Sequence, residues 1–251
     1  MLVKKIALIT STISPEHGVF ALKRVNVQDR LSDYKNAFAF YCEMLINNVF
    51  DNIVFVDNSG YKLEELEKIA DFNGVRSRCE FIRYKSIVSV ENNRFFLEIN
   101  LIDYFCKNSL FYKSSTNCIV WKITGRYLIK NISNIILAYK NKKQYDLYIN
   151  HRNYPYKTVD FYLVGFSKIA YKKIFEDNID YYRGLQDGEI LLRGYLDSAG
   201  FNSLKISSRF PKIPLIIGIR GFDGGAYGGV KDLLKWRVRT FMNLIIPSLW
   251  I

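Results

Sequence analysis

Three apolar runs constrain this chain more than any other feature: KIALIT (residues 5–10), NIVFV (52–56) and CIVWKI (118–123). Each is continuous rather than alternating, as expected of strands buried on both faces of a parallel sheet. Between the first two, Leu31, Tyr34, Phe38, Tyr41, Cys42, Leu45 and Ile46 recur at helical spacing, which predicts an amphipathic helix near residues 30–47. KLEELEKIAD (62–71) predicts a second helix closed by Asn73-Gly74, and CEFIRY a third strand. This β-α-β-α-β order with short connections predicts an α/β fold, a parallel sheet covered by helices. A longer helix over about residues 92–112 then leads into CIVWKI. DLYINH and TVDFYLVGFS predict two further strands, with a helix at 168–175 and another starting near Asp187. A last strand, PLIIGI, runs into the glycine-rich RGFDGGAYGG. No repeat or linker interrupts the pattern, so residues 1–229 form one expected domain and 230–251 a C-terminal segment.

The chain has 251 residues, and its 36 Lys and Arg against 24 Asp and Glu give a net charge of +12. That balance favours polyanionic partners: a nucleic acid, an anionic membrane surface or a phosphorylated substrate. Four scattered cysteines without a CxxC pair, and only two histidines, argue against a structural zinc site. The N-terminal apolar run meets polar STISPEHG at once, too soon for a secretory core, and no apolar stretch is long enough to span a bilayer. A cytoplasmic protein with reduced thiols is therefore expected.

In open parallel sheets, ligands bind at the carboxyl ends of the strands near the switch in strand order. Three segments carry polar or glycine residues there: Thr10-Ser11, Asp57-Asn58-Ser59 and Thr124-Gly125-Arg126. Thr10, Ser11 and Asp57 suit the base and ribose of a nucleotide, whereas Lys122 and Arg126 suit its diphosphate. The first strand KIALITST, the helix after it and the second strand ending in VDNSG resemble the N-terminal half of GT-A-fold (Rossmann-like) glycosyltransferases. WKITGRYLIKN resembles a K-x-T-G-R-Y element of bacterial enzymes that build cell-surface polysaccharide, the O-antigen of lipopolysaccharide or capsule. RGFDGGAYGG resembles their glycine-rich end. The resemblance implies a nucleotide-sugar donor, a glycan or lipid-linked acceptor, and a nucleotide contact from Asp57 and its neighbour Asn58. Metal-dependent members carry an Asp-x-Asp that this chain lacks. Either a single carboxylate such as Asp146 or Asp160 holds a divalent cation, manganese or magnesium, or cationic side chains replace it; the second version is preferred here.

Inverting transfer needs a carboxylate base, and Asp187 and Glu189 at a helix start are the expected catalytic pair, with Asp223 behind them. His151 and Arg152 are the expected acceptor contacts. Each assignment has a plainer alternative. Asp57 can fix a turn, Arg126 can be a structural ion-pair partner, and Asp187 and Glu189 can simply complement a helix dipole. At the C-terminus, Val230, Leu233, Leu234, Val238, Phe241, Met242 and Ile245 share one stripe of a basic segment, with Trp236 and Trp250 placed for an interface. That pattern predicts either attachment to the inner face of a membrane or a helix packed on the core. Two other readings remain, a nucleic-acid-binding module and a non-catalytic membrane scaffold. The core-periodic placement of the aromatics argues against the first, so no nucleic acid is expected.

Overall fold

The computed structural model describes residues 3–16, 23–86, 93–139, 144–184, 186–198, 203–221 and 223–246. His17, Pro247 and Trp250 lie outside the described residues. KIALIT extends into β1 (Lys4–Ser11), and the chain alternates through α1 (Val27–Ile46), β2 (Asn52–Asp57), α2 (Glu64–Phe72) and β3 (Cys79–Arg83). Two helices, α3 (Arg94–Asn108) and α4 (Leu110–Ser114), precede β4 (Cys118–Thr124). The single helix expected over 92–112 is thus broken at Ser109. The cause lies on a distant strand: the Glu80 carboxylate accepts from the Ser109 hydroxyl at 2.6 Å and from the Leu110 N–H at 2.9 Å. One side chain ends α3 and caps α4.

After β4 come β5 (Tyr127–Ile129), α5 (Ile132–Leu137), β6 (Leu147–Arg152) and β7 (Thr158–Ser167). A short α6 (Lys168–Ala170) runs on through a π-helical turn at Tyr171–Phe175. Then follow α7 (Gly188–Ser198), β8 (Ile206–Ser207), β9 (Ile216–Ile219), β10 (Ala226–Tyr227) and α8 (Val230–Ile245).

The main sheet has the order β3-β2-β1-β4-β7-β6-β8. The β3–β2, β2–β1, β1–β4 and β6–β8 pairings are parallel, and β4–β7 and β7–β6 are antiparallel. The protein is therefore an α/β fold with a mostly parallel sheet flanked by helices, as the apolar runs predict. PLIIGI supplies β9, which joins β5 and β10 in a separate three-stranded sheet. Strands as short as β5 and β10 carry no readable period.

A period of two sorts the strand side chains onto two faces. Ala7, Ile9, Ile53, Phe55, Ile119 and Trp121 pack with residues of α1 and α2; Ile6, Leu8, Val54, Val56 and Val120 pack with α3 and α7. Carried to the strand ends, the alternation puts Thr10 and Lys122 on the α3 and α7 face, and Ser11 on the α1 face. The chain winds outward from β1 to β3 and then returns to the other side of β1. The order therefore reverses between β1 and β4, and the crevice at a reversal is where such sheets take their ligands.

Candidate active site

Parallel pairing assembles the switch point. Thr10 lies opposite Val56 on one side and Thr124 on the other, and Ser11 lies opposite Asp57. Asp57 is fully buried. One carboxylate oxygen accepts from the Ser11 hydroxyl (2.9 Å) and the Ile13 N–H (2.8 Å). The other accepts from the Ser59 N–H (2.9 Å), the Ser59 hydroxyl (2.6 Å) and the Tyr61 N–H (3.2 Å). Five donors exceed the roughly four lone-pair positions of a carboxylate. Asp57 consequently shapes the loops after β1 and β2 and keeps no position for a ribose hydroxyl. Asn58 works alongside it: its side chain accepts from the Thr12 hydroxyl at 2.6 Å, and its carbonyl accepts from the Ser86 N–H at 2.9 Å.

Lys122, expected beside a diphosphate, is instead sealed inside the sheet with no exposed side-chain surface. Its ammonium faces Glu98 Oε1 at 2.5 Å, the Phe161 carbonyl at 2.5 Å and the Thr124 hydroxyl at 3.1 Å. Three hydrogens meet three acceptors, so none is left for a phosphate. Burial pushes the Lys122 pKa down, and the Glu98 charge opposes that shift. Glu98 also accepts from the Thr10 hydroxyl at 3.0 Å, which ties α3 to the end of β1. Lys122→Ala is expected to destabilise the protein by about 3 kcal/mol, because it strands a carboxylate and a backbone carbonyl. Chemical denaturation of the two proteins checks this.

The switch point does hold two cations, contributed by Arg30 and Arg126. Gly125 makes the turn that places the second: a Cβ there would stand 2.6 Å from the Thr10 carbonyl, so only glycine fits. Arg126 is 9% exposed. Its Nη1 donates to the Ile219 carbonyl at 3.1 Å, while its buried Nε–H has no partner. Arg30, on the inward face of α1, is 3% exposed and donates to the Thr12 carbonyl (2.8 Å from Nε) and the Arg24 carbonyl (2.9 Å). Burial lowers its pKa, and the charge of Arg126 lowers it further. The two guanidiniums therefore repel each other. Among the described residues neither forms an ion pair with a carboxylate. Tyr34 and, at longer range, Asp33 offset part of the cost of burying Arg30, but neither arginine has a carboxylate within ion-pair distance among the described residues.

A carboxylate of unusual basicity adjoins this edge. Asp187 is exposed and accepts from the Glu189 N–H (2.9 Å) and the Ile190 N–H (3.3 Å), which makes it the cap of α7. Glu189 turns inward and accepts from the Phe161 N–H at 3.0 Å. Phe161 has no strand partner in either register, because pairing with β4 stops at Leu163 and the β6–β7 register slips between Tyr148 and Asn150. Its peptide N–H and carbonyl are satisfied by Glu189 and Lys122 instead. Burial, then the charge of Asp160, raises the Glu189 pKa to about 7. Gly188 allows the approach, since a Cβ there would overlap the Phe95 ring at 2.1 Å.

His151 and Arg152 end β6. Burial and the neighbouring Arg193 hold His151 neutral, with its pKa lowered to about 4. Arg152 Nε stands 2.8 Å from Asp160 Oδ1 in an ion pair whose N–H is not aligned for a hydrogen bond. Arg152, Asp160, Arg220, Tyr227, Trp236 and Arg239 contribute to a cavity of about 250 Å³ beneath α8.

The carboxylates suggested for a divalent cation are otherwise engaged. Asp160 pairs with Arg152 and accepts from the Tyr162 hydroxyl (3.2 Å), and Asp146 accepts from Ser167 and Lys205. Among the described residues no three His, Cys, Asp or Glu side chains cluster as a metal site. Among the described residues both carboxylates are thus held by protein donors, and Arg30 and Arg126 are the cationic groups at the switch point. Asp223 pairs with Arg220 at 2.8 Å in the glycine-rich loop.

Arg30 and Glu98 are site residues that motif reading passes over. Both left a signal: each is a charged residue in line with an apolar helical stripe, Arg30 four before Tyr34 and Glu98 four before Ile102.

No protein-family model matches this chain, and no curated protein does. Among solved structures it is similar to a provisionally named nucleotide-diphospho-sugar transferase from Desulfovibrio desulfuricans G20, with 13% identity, 82% of this chain and 79% of that one covered, and a TM-score of 0.43. It is also similar to a nucleoside-diphosphate-sugar pyrophosphorylase from Vibrio cholerae RC9, with 9% identity, 80% and 89% coverage and a TM-score of 0.42. A provisionally named glucose-1-phosphate thymidylyltransferase from Bacillus anthracis gives 10% identity, 86% and 89% coverage and a TM-score of 0.43. At such TM-scores nothing about the chemistry of this chain is taken from them.

Proposed function

We propose that this chain is a glycosyltransferase that moves a sugar from a nucleotide-diphosphate donor to a hydroxyl of a surface glycan. One observation carries the reading: Arg30 and Arg126 are buried together at the switch point of an α/β sheet, and among the described residues neither forms an ion pair with a carboxylate, Asp33 acting on Arg30 only at longer range. A diphosphate supplies the missing negative charge, and the two guanidiniums stabilise it as it leaves. Thr10, Ser11, Asn58, Thr124 and Gly125 form the floor at the strand ends, and the Thr12, Arg24 and Ile219 carbonyls hold the arginines beside it. Asp57 and Lys122 hold that floor in shape without touching the donor.

Glu189 is the base. In the transfer step the acceptor oxygen bonds to the anomeric carbon, the bond from that carbon to the diphosphate oxygen breaks, and the hydroxyl proton passes to Glu189. Configuration at the anomeric carbon inverts. The acceptor approaches along the side of Arg152 and His151, where the cavity under α8 has a net cationic lining, Arg152, Arg220, Lys235 and Arg239 against Asp160 and Asp232, for an anionic, lipid-linked glycan.

The test is calorimetric titration of the folded protein with UDP, GDP, dTDP and CMP, each with and without manganese. Saturable binding of one nucleoside diphosphate, independent of manganese and much tighter than CMP, is the expected result. Failure of every nucleotide to bind ends the proposal. Gly221→Ala sharpens the test. A Cβ at residue 221 would stand 2.5 Å from the Arg126 guanidinium, a side-chain end that can move aside. The variant should melt as wild type does and bind the diphosphate about tenfold more weakly, an order set by one charge-assisted contact.

A further inference from the structure

The C-terminal helix is inverted relative to the rest of the molecule. In every other long helix the apolar stripe is buried, whereas α8 buries no residue at all. Its polar and amphipathic side chains point inward instead. Asp232, Lys235, Trp236 and Arg239 line the cavity beneath it together with one apolar side chain, Leu233, and the indole N–H of Trp236 donates to the Ile213 carbonyl at 3.0 Å, fixing the orientation. Most of the apolar stripe consequently points away from the protein, Leu233 at the cavity and the half-exposed Met242 excepted. Val230 is 85% exposed, Leu234 62%, Val238 53%, Phe241 61%, Leu244 76% and Ile245 59%. Scattered apolar surface residues are normal, but six on one helical face, with only Arg237 among them, mark a face that something else covers.

We infer that α8 is a membrane-docking helix whose apolar stripe lies in the headgroup–acyl boundary of an anionic phospholipid bilayer. Charge selects this occupant. Lys231 flanks the stripe, Arg237 lies within it and both are exposed, and the whole chain carries a net charge of +12. Stripe-to-stripe packing of two copies would bring both sets of cations together, which disfavours a homodimer through this face. Among the described residues no helix is long and apolar enough to cross a membrane, so the helix lies on the bilayer and not through it. The geometry has a consequence for the cavity: docking by the outer face sets its cationic lining directly behind the lipid surface. The inference stands on α8 alone and does not require the transferase reading.

The experiment is sedimentation of the full chain with vesicles of phosphatidylglycerol and phosphatidylethanolamine, and separately with phosphatidylcholine vesicles. The double variant Leu234→Glu with Phe241→Glu, whose side chains are exposed and should leave the fold and its melting temperature unchanged, is measured in parallel. Expected is at least tenfold tighter partitioning onto the anionic vesicles than onto phosphatidylcholine, weakened by salt and lost in the double variant. Absence of vesicle binding, or equal binding by the variant, overturns the inference. So does a dimer in analytical ultracentrifugation that the double variant abolishes, since the stripe would then be an interface between copies.

Discussion

Glu189→Gln is expected to lower kcat by about a thousandfold, within the range that a positioned base contributes, while leaving the affinity for the nucleoside diphosphate unchanged. The wild-type kcat should rise with pH along a limb centred near pH 7, because burial beside Asp160 raises the Glu189 pKa to about 7 and only the carboxylate accepts a proton. That limb should vanish in the variant. Stability provides a second readout with the opposite trend. The folded protein holds the Glu189 proton to about pH 7, against an ordinary value of 4.5. Stability therefore falls as pH rises from about 4.5 to about 7 and levels off above. Glutamine imitates the protonated form, so the variant should match wild type near pH 4.5 and exceed it in melting temperature at pH 8. An unchanged kcat, or an ascending limb that survives the substitution, removes Glu189 from the mechanism. The two readouts together separate a base from a residue that merely packs.

Arg126→Met is expected to reduce kcat/KM by two to three orders of magnitude, the scale of removing one preorganised donor to developing charge. Calorimetry should show the loss already in nucleoside-diphosphate binding. The variant is equally expected to melt no lower than wild type. Arg126 stands buried with its Nε–H unpartnered and a second guanidinium nearby, so the free protein carries an uncompensated cost that methionine removes. Loss of function with retained or raised stability identifies a binding residue held in an unfavourable setting, the usual signature of a site kept for its ligand. A destabilised variant would assign Arg126 to the core, and a fully active one would place the diphosphate elsewhere.

These two residues show how differently a motif is read on the line and in space. TGR at the end of β4 advertises Arg126 through its position alone: a strand must end at a polar turn, and glycine is required where the backbone passes the Thr10 carbonyl. Lys122, two residues before Thr124, looks equally available to a phosphate. Strand alternation sends it into the face covered by α3 and α7, where Glu98 and the Phe161 peptide consume its hydrogens. Asp187 and Glu189 sit two positions apart on one helix start, yet one caps the helix in solvent and the other reaches the interior.

Local chemistry in the sequence determined the α/β class, the strands at residues 5–10, 52–56 and 118–123, each within a residue of its observed ends, and the edge at which a ligand would sit, because apolar runs, helical periods and turn residues are properties of neighbours along the chain. Only the tertiary structure decided which charges at that edge are spent and which are left over. Asp57 meets donors from both flanking loops, Lys122 meets Glu98 from α3, and Arg30 comes beside Arg126 from 96 residues away. The same holds for α8. The sequence specifies an amphipathic helix, but whether its apolar stripe turns inward or outward depends on where Trp236 finds its acceptor, and that acceptor, the Ile213 carbonyl, is placed by the fold. Counter-charge and hydrogen-bond partners come from whichever segments the sheet brings together, and a linear pattern does not encode them.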